Sequence, residues 1–313
     1  MSTRRKQPVS SAAASGGNAV DKLKQVDSDS SHVTGRLLHW NEIPTWQHDN
    51  EFILSAYRHT SGSIWTSFES LLYLNNQTIN SYSHYLGAIV FALLPLYFHY
   101  AIQPTSPYAR TDDLIVVAIY CYGVSICFTL SATFHVLCNH SCSVALYWNK
   151  LDYLGILVLM WGAGIPTIYY GFLCNPYLQR IYWSMTTGTA LCCTYMTLHP
   201  HFASPAFRHW RACFYAGFGF SSIIFVIHGL LLFGWQVQKA RMSLVYMGWM
   251  ATANITGALI YAARIPERWV PYRFDIWGAS HQTFHVAVMV AAWIHFRGLV
   301  QAFQIVRSMP ETC

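Results

Sequence analysis

Seven apolar runs follow one another along the chain, at about 81–102, 112–136, 150–172, 177–198, 207–233, 243–263 and 281–303. Each is close to the roughly 20 residues that a helix needs to cross a bilayer. Lipid offers the backbone no hydrogen-bond partner, so each run is predicted to be a helix that satisfies its own N–H and C=O groups. The fourth run is the weakest, because several Thr and Cys interrupt it. Pro95 and Pro166 fall inside the first and third runs, and GAGIP (Gly162 to Pro166) is predicted as an opened helix lining a cavity.

The segments around these runs differ in character. Residues 1–35 are polar and of low complexity and are predicted to be a disordered cytoplasmic tail. Residues 36–80 are rich in aromatics and are predicted to be an ordered cytoplasmic or interfacial segment. Within it SIWTSFESLLYL (63–74) places Trp65, Phe68, Leu71 and Leu72 on one side of a short interfacial helix. The membrane domain is placed at 81–303 and an external tail at 304–313.

Composition supports this all-α integral membrane architecture. The chain is 54% hydrophobic and only 10% charged, where soluble domains carry about 25% charged residues. No apolar stretch follows the basic start MSTRRKQ, so no cleaved signal is expected and the first span itself acts as the membrane signal. The net charge of +6 is scattered among turns, which argues against nucleic acid. Counting from a cytoplasmic N-terminus, thirteen Lys and Arg fall inside and six outside. The positive-inside rule then places the C-terminus on the external or lumenal side. Nine cysteines at irregular spacing give no disulfide framework. Those in or beside apolar runs (Cys121, Cys127, Cys174, Cys192, Cys193) are expected to be small buried hydrophobes.

Histidines change the picture most. His135 ends SATFH in the second run, and His281 and His285 open the last run as HQTFH. An ionisable group at bilayer depth is costly and marks a candidate site. Residues four apart share a helix face, so His281 and His285 can grip one ion. His135 would complete three protein ligands with a fourth position open, the arrangement of a catalytic zinc site. The inferred orientation brings all three to the cytoplasmic face. Asp152 opens the third run at that level, and Ser131 lies one turn deeper than His135. Zinc on three neutral imidazoles lowers the pKa of a bound water toward about 7. Asp152 is the candidate general acid–base, and Ser131 a donor or orienting group. A purely structural zinc clamping the second run to the seventh is the alternative.

Other groups read differently. His99, His228 and His295 map to the outer halves of their runs, away from such a site. His84 enters the first run on the site's side, where an interfacial position suits it better than a place behind the ligands. Cys138, His140 and Cys142 form a rival set whose spacing fits no standard zinc signature. Glu267 and Asp275 lie amid Arg264, Arg268 and Arg273, and solvated ion pairs account for them.

These residues carry a likeness. WNEIPTWQHDNEFILSAYRHTSGS, NSYSH, SATFHVL, KLDYLGI and IPERWVPYRFDIWGASHQTFHV together resemble the progestin and adipoQ receptor (adiponectin receptor-like, haemolysin III-related) family, in its fungal zinc-homeostasis branch. The resemblance covers most of the chain. It implies seven helices with a cytosolic N-terminus, zinc on His135, His281 and His285, and a water near Asp152 and Ser131. It further implies a receptor in lipid, sterol and zinc homeostasis with ceramidase-like hydrolysis. The alternative is a signalling receptor with a structural zinc. Expected partners are a ceramide-like membrane lipid, an extracellular protein or steroid ligand, and a cytosolic signalling partner at 36–80. The expected location is the plasma membrane or the endoplasmic reticulum. One departure stands out: where relatives commonly read Asn-Glu-Thr before the first span, this chain reads Asn76-Gln77-Thr78, without the carboxylate.

Overall fold

The computed structural model describes residues 36–199 and 208–308. The tail placed at 1–35, and residues 309–313 of the external tail, lie outside the described residues. The helices are α1 (Ile64–Glu69), α2 (Thr78–Tyr97), α3 (Thr111–Leu137), α4 (Cys142–Gly171), α5 (Pro176–Leu198), α6 (Arg208–Arg241), α7 (Leu244–Ala263) and α8 (Ser280–Val306). Among the described residues there is no strand, only an isolated bridge between Leu38 and Tyr57.

The seven helices α2–α8 correspond to the seven apolar runs. Five of them (α2 with its extension to Thr105, α3, α4, α6 and α8) are long and apolar enough to cross a membrane by length and composition. Large apolar side chains point away from the bundle, among them Leu231 (80% exposed), Leu191 (65%) and Leu259 (65%). Such an outward face suits hydrocarbon, and the chain is a multi-pass membrane protein. Helix α1 is turned the same way. Ser67 and Ser70 are buried beneath it, while Trp65 and Leu72 are exposed, so its apolar side is free to enter the interface.

Helix α3 lies at the centre, burying Val117, Tyr120, Cys121, Val124, Phe128, Ala132 and Val136. Small residues let α4 approach it closely, as they do between membrane helices generally. A Cβ on Gly155 would stand 2.9 Å from Cys127 Cα, and one on Gly162 would stand 3.2 Å from the Ile119 carbonyl oxygen. This antiparallel register places Ser131, four residues beyond Cys127, at the level of Asp152, three before Gly155.

Several expectations need correction. Helix α4 begins at Cys142, so Asp152 lies in its third turn and not at its start. The turns before it stay helical because Leu146 and Tyr147 extend an exposed apolar side into the interface. The helix also runs unbroken through Pro166. Nearby carbonyls find partners: Thr167 Oγ1 donates to Ala163 O at 2.8 Å, and Trp183 Nε1 donates to Ile165 O at 3.1 Å. No opened segment results. Helix α6 breaks at Gly234, whose φ is +77°, at the predicted end of the fifth run. Helix α8 extends to Val306. Arg307, assigned from sequence to an external tail, has a fully buried side chain paired with buried Asp113, Nε to Oδ2 at 2.9 Å. Cys121, Cys127 and Cys193 are buried, but Cys192 is exposed and Cys174 is disulfide-bonded.

Candidate metal centre

The last turn of α3 and the first two turns of α8 meet, bringing His135, His281 and His285 together. Their ring centroids stand 5.0 Å (His135–His281), 4.8 Å (His135–His285) and 4.8 Å (His281–His285) apart. One nitrogen from each ring lies within 4.8 Å of the others. Among the described residues, they are the one group of three or more His, Cys, Asp or Glu side chains able to hold a metal. His135 and His285 are buried, and His135 Nε2 and His285 Nδ1 have no hydrogen-bond partner. Buried polar atoms are rarely left unpaired. Three imidazoles with one nitrogen each within ligand reach, two of the rings carrying a buried nitrogen without a partner, fit a borderline-soft divalent ion such as zinc.

The segment before α2 holds both halves of this group. Buried Arg58 donates to the His135 carbonyl at 2.6 Å, to the Val136 carbonyl at 2.9 Å and to Ser70 Oγ at 2.7 Å. It thus closes the C-terminal end of α3, whose carbonyls lack helical partners. On the ring side, His135 Nδ1 lies 2.8 Å from Gln77 Oε1.

At α8, Glu267 accepts the backbone N–H of Ser280 at 2.8 Å and also its hydroxyl. Asn50 Nδ2 donates to Glu267 Oε1, the oxygen that also accepts the Ser280 hydroxyl, at 2.9 Å. Asp275 accepts from Leu54 N at 3.2 Å and Ser55 Oγ at 2.6 Å. Both carboxylates are buried, at 1% and 3% exposed, so the expectation of solvated ion pairs fails. Their partners are Ser280 and, more than 200 positions away, backbone and small polar groups of residues 50–55, which local charge patterning does not reveal.

His84 is also buried rather than interfacial. Its ring stacks on His285 at 3.7 Å between centroids and on Phe128 at 4.5 Å. The close approach of α4 to α3 at Gly155 and Cys127 brings Asp152 to the level of Ser131, one turn deeper than His135. The rival set does not assemble. Cys138 contacts Arg58 and His135, and His140 Nδ1 turns to Ser141 Oγ at 3.1 Å. Burial pushes the Cys138 thiol up. His99 pairs with Gln103, His228 with Tyr182, and His295 packs on Tyr120, all away from the centre. A groove of about 500 Å³ between α5 and α6, floored by Gly188 and Gly217, contains none of the histidines.

Arg58 and Gln77 escaped sequence reading as parts of the centre. The departure at Asn76-Gln77-Thr78 was the available signal for Gln77; for Arg58 there was none.

A bundle of seven long helices with three histidines converging at one end defines a polytopic membrane protein with a candidate metal centre. A family model described as haemolysin-III related matches residues 72–296, and the chain belongs to that family. It is 35% identical over 296 residues to "Adiponectin receptor protein" of Drosophila melanogaster, covering 95% of this chain and 66% of the fly protein. It is 35% identical over 279 residues to "ADIPOR-like receptor IZH2" of Saccharomyces cerevisiae, covering 89% of this chain and 88% of the yeast protein. Against "Heptahelical transmembrane protein 4" of Arabidopsis thaliana it is 29% identical, covering 86% and 89% of the two chains.

Proposed function

We propose that this adiponectin receptor-like membrane protein holds zinc on His135, His281 and His285 and hydrolyses the amide of a ceramide-like lipid. The observation that carries the reading is the convergence of those three imidazoles, with Ser131 one turn deeper on α3 and Asp152 brought to the same level on α4 by the close approach at Gly155. Zinc, when bound to three neutral histidines, supplies a Lewis acid and acidifies a coordinated water toward neutral pH. Asp152 takes the proton released as water adds to the amide carbonyl and delivers it to the departing amine. The products are a fatty acid and a free sphingoid amine. Ser131 fixes the orientation of the Asp152 carboxyl, and the apolar helix faces around the centre hold the acyl chain.

The Lys and Arg bias puts the N-terminus and the metal end of the bundle in the cytoplasm. The substrate amide then lies at inner-leaflet headgroup depth. The proposed membrane is the plasma membrane or the endoplasmic reticulum, and the proposed role in lipid, sterol and zinc homeostasis is the one the family resemblance implies.

A second reading, a receptor with a structural zinc, is favoured by one feature. The metal would tie α3 to α8, and residues 50–77 grip the ends of both helices. Binding of an external protein or steroid could then reach a cytosolic partner at 36–80 through that segment. Purified wild-type protein and Asp152→Ala, both zinc-loaded, separate the two. Amide hydrolysis lost in the variant supports the enzyme, whereas full zinc occupancy with no turnover of any sphingolipid amide rejects it.

A further inference from the structure

The environment of His135 sets which of its nitrogens can meet a metal. Gln77 Oε1 lies 2.8 Å from His135 Nδ1 and also accepts Asn80 Nδ2 at 2.8 Å. An amide has one end that accepts and one that donates. In the amide orientation of this structure Asn80 donates to the Gln77 oxygen, and with that oxygen also facing His135, Nδ1 is the ring nitrogen that carries the hydrogen. The lone pair then sits on Nε2, the buried atom left without a partner.

We infer that Gln77 is a positioning residue for the metal centre, selecting the His135 tautomer and aiming its Nε2 at the ion. The inference rests on the zinc reading above. Gln77 precedes α2, whereas His135 ends α3, so this contact ties ligand geometry to the segment entering the membrane. The partner is a neutral amide, not the carboxylate that often accepts from a ligating histidine. A carboxylate would make the imidazole a stronger donor and tighten the metal. The amide therefore keeps the tautomer while leaving the affinity lower and the ion more exchangeable.

The test is zinc affinity, read by chelator competition on full-length protein in lipid nanodiscs, for wild type, Gln77→Leu, Gln77→Glu and His135→Ala. Gln77→Leu keeps the bulk but removes the acceptor, and its affinity is expected to fall about 10- to 100-fold, the usual effect of losing such a partner. Gln77→Glu is expected to bind zinc more tightly than wild type, which gives a second reading should the leucine variant fold poorly. Nitrogen-15 shifts of His135 should report hydrogen on Nδ1 in wild type and in Gln77→Glu. Wild-type affinity in Gln77→Leu, or weaker binding in Gln77→Glu, while His135→Ala loses the metal, would overturn this inference alone. A wild-type protein that holds no zinc would overturn the metal reading with it.

Discussion

The carboxylate of Glu267 caps Ser280, accepting its backbone N–H at 2.8 Å and its hydroxyl, at the first residue of the helix that carries His281 and His285. Glu267 is 1% exposed, so removing it leaves a buried N–H with neither protein nor water to accept it. Such a loss costs about 1–3 kcal/mol. Glu267→Ala should lower thermal stability by that amount and reduce zinc affinity, because the first turns of α8 fray where two of the candidate ligands sit. Thermal unfolding of purified protein, with and without added zinc, checks both parts. Glu267→Gln should lie between the two.

At the opposite end of the bundle, Arg307 and Asp113 are both fully buried and joined at 2.9 Å, with Arg307 also donating to Tyr169 OH at 2.8 Å. Breaking a buried pair from one side strands the other charge and costs about 3–5 kcal/mol. Arg307→Met alone should therefore destabilise strongly, and Asp113→Leu/Arg307→Met much less. Zinc content per folded molecule should not change in either. A double-mutant cycle on unfolding midpoints measures the coupling.

Gly155 tests the link between helix spacing and chemistry. A Cβ there would meet Cys127 Cα at 2.9 Å, so Gly155→Val forces α4 away from α3. Overpacking of this kind costs about 1–3 kcal/mol. Lipid amide hydrolysis should fall at least tenfold as Ser131 and Asp152 separate, while the ligands, which lie on α3 and α8, keep their zinc. Turnover and metal content measured on one preparation would show the split.

The spans and the three histidines were readable because both follow local rules. An apolar run of membrane length declares itself, and histidines at positions 281 and 285 share a helix face wherever the helix goes. The helix ends were harder: Cys142 to Lys150 is helical although polar residues suggest a loop, since an interface tolerates both sides of an amphipathic turn. Asp113 and Arg307 lie 194 positions apart, and nothing near either marks it as paired. Glu267, Asp275 and Arg58 are alike in this respect. Each is a charged residue in a stretch that reads as solvated, buried by a partner from a distant segment. Gln77 was partly legible, as a departure from the usual carboxylate, but its contact with His135 depends on the fold of residues 75–80 over the end of α3.

The most direct test of the metal centre is zinc content by elemental analysis of purified protein, comparing wild type with His135→Ala. The account predicts about one zinc per wild-type chain and almost none in the variant, with helical content preserved in both. A wild-type chain without metal, or a variant that retains it, would contradict the assignment.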